Sequence, residues 1–126
     1  MEAPRKILVV DDNADTAQTL AALLEMAGHS VEFVTDARAV LGTATHRRLD
    51  AVFLDIGMPH IDGFELARTL KRAFPGTHVV AITGRESGED RRHARQAGFD
   101  AYVSKPVDFQ IVESILATLF APRRLR

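Results

Sequence analysis

The sequence predicts an α/β fold built on a parallel five-stranded sheet. Short apolar runs alternate with helical patterns five times along the chain, and the helical stretches are about 10–15 residues long, the spacing of βαβ crossovers. Three runs, Ile7-Leu8-Val9-Val10, Ala51-Val52-Phe53-Leu54 and Val79-Val80-Ala81-Ile82, are continuously apolar. Unbroken runs of this kind belong to central strands covered on both faces. The length of 126 residues fits one such domain.

Each element has its own signal. The second strand, Val31-Glu32-Phe33-Val34, alternates and is placed at an edge, while Ala101-Tyr102-Val103 forms the fifth. Helix one is expected near 14–27, with Ala17, Leu20, Leu23, Leu24 and Ala27 on one face and Gly28 as its stop. Asp36 is the expected cap of helix two. Asp62 followed by Glu65 reads as a capping box for helix three, with Leu66, Ala67, Leu70 and Phe74 inward. Helix four, from Glu86 to Gln96, has little apolar beyond Ala94 and should be loosely anchored. Asp108 caps helix five, whose stripe is Ile111, Val112, Ile115, Leu116 and Leu119. Residues 122–126 read as a frayed basic end.

Composition removes several function classes. Sixteen Lys and Arg against seventeen Asp and Glu leave a net charge of -1, unlike the basic face of a nucleic-acid module. The absence of cysteine excludes disulfides, thiol catalysis and zinc-thiolate sites. No apolar run approaches the roughly 18 residues of a membrane span. The start, Met1-Glu2-Ala3-Pro4-Arg5, has no signal-peptide stretch, so a cytoplasmic location is expected.

Ligands of open α/β sheets bind beyond the carboxyl ends of the strands. Asp11 and Asp12 follow strand one, Asp55 follows strand three, Thr83 ends strand four, and Ser104 leads from strand five to Lys105-Pro106. Three carboxylates, a hydroxyl and a lysine therefore converge on one edge. Carboxylates this close repel, and a hard divalent ion resolves the conflict; Mg²⁺ (or Mn²⁺) takes such oxygen ligands. Lys105 adds a mobile point charge suited to a phosphoryl group. Asp55 stands where a carboxylate can act as nucleophile. Phosphoryl transfer asks for little beyond positioning and electrostatics of this kind.

Four ordered motifs carry a resemblance: Val9-Val10-Asp11-Asp12; Leu54-Asp55-Ile56-Gly57-Met58-Pro59 with Asp62-Gly63; Ile82-Thr83-Gly84; and Ser104-Lys105-Pro106. Together they resemble the signature set of response-regulator receiver domains, the phosphoacceptors of two-component phosphorelays. The likeness runs from Ile7 to about Phe120. It implies a flavodoxin-like (βα)5 doubly wound sheet of order 2-1-3-4-5. It also implies a single receiver domain over 1–126, with its core at about 6–120.

The same resemblance assigns roles. Asp55 would be the phosphoacceptor, charged from a histidine of a sensor kinase or phosphotransfer protein. Asp12, the Asp55 carboxylate and the Gly57 carbonyl would hold Mg²⁺, with Asp11 helping through water. Lys105 would pair with the phosphate, aimed by a cis Lys105-Pro106 peptide. Thr83 would be the switch hydroxyl, and Tyr102 the aromatic that follows it, altering the helix four, strand five and helix five face toward an output partner. Gly57 and Arg85 occupy positions that tune phosphoryl lifetime. Catalysis would extend only to the domain's own Asp phosphorylation and dephosphorylation, with no direct contact to nucleic acid or membrane. Ile56-Gly57-Met58-Pro59 looks like the version common in receivers attached to hybrid sensor kinases, though stand-alone regulators also carry it.

Two other readings compete. A haloacid-dehalogenase-like Mg²⁺-dependent phosphatase also uses an Asp nucleophile, but wants a second Asp two positions later, where this chain has Gly57. A receiver-like interaction module that is never phosphorylated would not need the intact acceptor, acidic pair, Thr and Lys. The basic cluster Arg91, Arg92, His93 and Arg95 reads first as a complement to the helix macrodipole, with Glu86, Glu89 and Asp90 at the other end; an acidic partner is the functional alternative. His29, His46, His60 and His78 show no metal-ligand spacing.

Overall fold

The computed structural model describes residues 4–46, 48–59, 61–84 and 88–121. Five strands, β1 (Lys6–Val10), β2 (Ser30–Val34), β3 (Ala51–Asp55), β4 (His78–Thr83) and β5 (Ala101–Ser104), form one sheet in the order β2-β1-β3-β4-β5. Every pairing is parallel. The helices between and after them are α1 (Ala14–Met26), α2 (Val40–His46), α3 (Gly63–Ala73), α4 (Gly88–Ala97) and α5 (Phe109–Leu119). The sequence expectation of a doubly wound sheet with β2 at an edge holds.

Strand side chains alternate between two cores, one on each face. Ile7, Val9, Ala51, Phe53, Val80 and Ile82 pack with Leu20 and Leu24 of α1 and Val112 and Leu116 of α5. Leu8, Val10, Val52, Leu54, Val79 and Ala81 pack with Val40, Ala67 and Leu70 on the opposite face. Two covered faces explain why these strands are apolar at consecutive positions rather than every second one. β2 lacks that cover, and Phe33 is 38% exposed.

The helix ends show local chemistry that sequence reading caught only in part. Asn13, not expected as a cap, accepts the Thr16 N–H and starts α1. Gly28, at φ +100°, turns the chain out of α1 in the left-handed region that favours glycine. Asp36 caps a 3₁₀ turn, Ala37–Ala39, that leads into α2 rather than α2 itself. The capping box at α3 is half of one. Asp62 accepts the Phe64 and Glu65 N–H groups, but the Glu65 carboxylate pairs with Arg68 instead of reaching back. Asp108 caps α5 by accepting the Ile111 N–H at 2.9 Å.

α4 is the lightly held helix. It buries Ala94 and Ala97, and Phe99 follows it into the core. Its further ties include an edge-on contact of His93 with the Phe64 ring of α3, centroids 5.5 Å apart, and Arg91 over Tyr102. Small buried side chains give it little apolar area, so its hold is weaker than that of α1.

At the amino edge of the sheet a separate set of bonds closes the fold. The Arg5 guanidinium lies 4.4 Å from the Phe120 ring centre, and Phe120 meets His78 edge-on. Asp50 accepts the Lys6 N–H, while Asp100 accepts both the Val79 N–H and the Lys71 ammonium. The segments before β1 and after α5 therefore meet at one pole. Residues 122–126, expected to fray, lie outside the described residues.

Two predictions follow from packing and local charge. Leu24→Ala, at a position with no exposure, should cost about 3 kcal/mol, whereas Met26→Ala, 70% exposed, should leave the urea midpoint nearly unchanged. Hydrogen bonds from the Arg38 side chain and backbone N–H hold the Asp36 carboxyl down to about 2 from 3.8. The stabilisation is present above the ordinary value and fades as pH falls through about 2. In Arg38→Ala, the Asp36 midpoint followed by NMR should move back toward 3.8.

Candidate functional site

The carboxyl ends of β1, β3, β4 and β5 bring the chemically active residues together. Asp55 is the last residue of β3 and only 6% exposed; Asp11, just past β1, is 2% exposed. Asp12 next to it is open to solvent. One carboxylate oxygen from each of the three lies within 4.8 Å of the others.

One lysine partly offsets the charge at this edge. Lys105 Nζ donates to Asp11 Oδ2 at 3.0 Å and to Asp55 Oδ2 at 3.1 Å. Its backbone is set by the Lys105 N–H donating to the Thr83 carbonyl and by a cis Lys105-Pro106 peptide, as expected from sequence. Partial burial works to lower the lysine pKa, but the hydrogen bonds and charges of Asp11 and Asp55 outweigh it and hold the ammonium above its ordinary range. The other oxygens of both carboxylates take backbone donors. Asp55 Oδ1 accepts the Gly57 N–H at 2.8 Å, and Asp11 Oδ1 accepts the Asn13 N–H at 2.9 Å.

Gly57 lies close beneath the Asp55 carboxylate. A Cβ there would stand 3.3 Å from Asp55 Oδ1, so a side chain would press on the carboxylate that its own N–H binds. Above Asp55 opens a cleft of about 450 Å³ bounded by Gly57, Phe64, Thr83, Asp90 and Lys105. A second hollow of about 330 Å³ lies on the far side of Lys105, between Asp15, Thr16 and Leu20 of α1 and the Pro106-Val107 segment.

Thr83 is buried at the end of β4, and Ser104 is its register partner on β5. The Ser104 hydroxyl is buried without a partner among the described residues. Tyr102, two residues back, shares that face of the sheet and is packed against the core beneath α4. Arg85 lies outside the described residues, as does His60.

The macrodipole reading of the basic cluster covers only one of its arginines. Of the three, only Arg95 is in the last turn of α4, and the dipole acts within that turn. Arg91 sits mid-helix over the Tyr102 ring, 5.0 Å from its centre, and His93 is engaged with Phe64. His29 accepts the Arg5 N–H, a structural use rather than a ligand. Sequence reasoning gave Met58, buried just after Asp55, no role beyond its place in the Ile56-Gly57-Met58-Pro59 motif, and no motif singled out Asp90 as a cleft residue.

Residues 7–117 match the family model described as the response regulator receiver domain. The chain belongs to that family. Among its curated relatives, the response regulator MprA of Mycolicibacterium vanbaalenii is 36% identical over 118 residues, covering 94% of this chain and 50% of that protein. The chain thus spans about half the length of such relatives. A CheY-like receiver domain from Methanospirillum hungatei superposes with a TM-score of 0.84 at 30% identity, covering 93% of this receiver domain and 94% of the other. A response regulator from Burkholderia pseudomallei, described with a phosphorylated aspartic acid, a calcium ion and citrate, matches with a TM-score of 0.82 at 30% identity, covering 93% and 67% of the two chains. Among the described residues of this receiver domain, no helix is long and apolar enough to cross a membrane.

The lysine bridge makes a test. Lys105→Met would leave Asp11 and Asp55 buried without their shared cation and should lower stability by about 2 kcal/mol, less than for a fully buried pair because Lys105 is partly exposed. Adding Asp55→Asn should recover part of the loss. A denaturation series on the two single variants and the double variant in metal-free buffer reads this coupling.

Proposed function

We propose that Asp55 is the phosphoacceptor of this receiver domain and takes its phosphoryl group from a histidine of a sensor kinase or phosphotransfer protein. The observation that carries the reading is the Asp55 carboxylate itself. It lies at the floor of an open cleft, one oxygen held by the Gly57 N–H and the other by Lys105. The aspartate is thereby oriented before the donor arrives, which is the main requirement of phosphoryl transfer.

In the step, an Asp55 oxygen forms a bond to phosphorus as the phosphorus–nitrogen bond of the donor histidine breaks. The electron pair of that bond leaves with the imidazole. Lys105 then exchanges its bond to Asp55 for one to a phosphoryl oxygen, staying within reach through Asp11. Thr83, on the wall of the same cleft, supplies a hydroxyl to a second phosphoryl oxygen. Its departure from its resting place frees space for Tyr102, and the α4–β5–α5 face changes toward an output partner.

The oxygen-only donor set of Asp11, Asp12 and Asp55 fits Mg²⁺ or Mn²⁺. Asp12, the Asp55 carboxylate and the Gly57 carbonyl would hold the ion, with Asp11 assisting through water. When bound, it supplies neutralisation of the charge on the transferring group. The Burkholderia protein, with its phosphorylated aspartate and calcium ion, supports both parts of the proposal. Catalysis by this chain is limited to forming and losing its own acyl phosphate, and its setting is cytoplasmic. Residues 1–126 are read as one receiver domain, with Gly57 and Arg85 tuning the lifetime of the phosphoryl group. The phosphatase alternative is not favoured, since position 57 offers the cleft a backbone N–H and no acid.

Incubation with acetyl phosphate and Mg²⁺ should label the wild-type chain, and Asp55→Asn should remove the label. Thermal stability should rise with Mg²⁺ in the wild type and much less in Asp12→Asn. Steady turnover of a phosphomonoester, or labelling that survives Asp55→Asn, would defeat the reading.

A further inference from the structure

Thr83 stands between two neighbours on the sheet. On the β3 side is Asp55, the register partner of Ile82, and Thr83 lines the cleft that opens above it. On the β5 side its own register partner is Ser104. Thr83 and Ser104 share the face packed against α4, because Val79, Ala81 and Tyr102 join that core while Val80, Ile82 and Val103 join the other, and strand side chains alternate. Neighbouring strands stand roughly 4.7–4.9 Å apart, and the Lys105 N–H donating to the Thr83 carbonyl at 2.8 Å holds β4 and β5 together here. The two hydroxyls are therefore within hydrogen-bonding reach when each turns toward the other, as cross-strand Thr–Ser pairs do. The Ser104 oxygen is nevertheless buried without a partner. β5 is an edge of the sheet, so among the described strands β4 alone stands beside it. A buried hydroxyl left unpaired is costly, and native proteins keep few of them.

We propose that Ser104 is a latch for the switch hydroxyl: it offers Thr83 a hydrogen bond on the side away from Asp55, and a phosphoryl oxygen must draw Thr83 off it. The inference rests on Asp55 being the phosphoacceptor and Thr83 its switch. A threonine side chain steps between staggered positions, which gives the pair two arrangements. In the latched one the two hydroxyls satisfy each other, one donating and the other accepting. In the released one Thr83 turns from Ser104 to other contacts and Ser104 is left unpaired, as in this structure, where Thr83 is itself engaged. The released population is the one ready to meet a phosphoryl group, so apparent affinity falls in proportion to the fraction that is latched. Ser104 does not border the cleft. It is a positioning residue that acts on the phosphoryl group through Thr83.

The test is a titration of the full chain with beryllofluoride, a phosphoryl mimic, in the presence of Mg²⁺. Fluorescence of Tyr102 reports it, since the chain has one tyrosine and no tryptophan. Ser104→Ala should bind the mimic roughly three- to tenfold more tightly than the wild type. Ser104→Cys, which keeps the side-chain size but bonds feebly, should match Ser104→Ala, and Ser114→Ala on α5 should track the wild type. In methyl NMR spectra without the mimic, the Thr83 resonance of Ser104→Ala should lie nearer its mimic-bound position than that of the wild type. Equal or weaker binding by Ser104→Ala would overturn the latch, as would a Thr83 resonance that does not move. So would wild-type affinity in Ser104→Cys beside tighter binding in Ser104→Ala, because the gain would then come from space and not from a lost hydrogen bond. If the wild type does not bind the mimic, or Asp55→Asn binds it equally well, the phosphoacceptor reading itself fails and takes the latch with it.

Discussion

The Lys105 ammonium is the contact on which the site depends. Two carboxylates from different strands, Asp11 and Asp55, are almost fully buried, and one cation that is itself partly exposed bonds to both. Removing carboxylates from water is costly unless the charge is met. The β5 end, the Lys105 hydrogen bond to the Thr83 carbonyl and the turn through Pro106 all serve to bring that nitrogen to its place. Held there, it fixes one oxygen of Asp55 at the floor of the cleft. It also ties together the carboxyl ends of β1, β3 and β5.

The helices that cover the sheet are held unequally. α1 and α5 place Leu20, Leu24, Val112 and Leu116 in one core, whereas α4 contributes alanines to the other. Of these three helices α4 buries the smallest side chains, so local opening is easiest there.

Most of the fold and the centre of the site could be read from sequence, and the reasons differ. Strand order follows from resemblance, but the two-sided burial of β1, β3 and β4 is written in unbroken runs such as Ile7-Leu8-Val9-Val10. Asp11, Asp12, Asp55, Thr83 and Lys105 stood out because each follows a strand, and parallel topology alone sends strand ends to one edge. Local capping was less legible. Asn13 was passed over, and the Glu65 half of the box failed, because an exposed carboxylate chooses between an N–H and a nearby arginine by small margins. Asp90 gave no signal, since an acid in a first helical turn is ordinary and only tertiary placement makes it part of a cleft. Arg91 looked like one member of a charge run until its mid-helix position over Tyr102 set it apart.

The stack of Arg5, Phe120 and His78 has an architectural consequence. It brings the approach to β1 and the exit from α5 to the amino edge of the sheet, and Asp55 stands at the carboxyl edge, about 17 Å away along a five-residue strand. A tether joined at either terminus would leave from that far pole, clear of the acid cluster. The attachment points of the domain and its acidic end therefore do not compete for space.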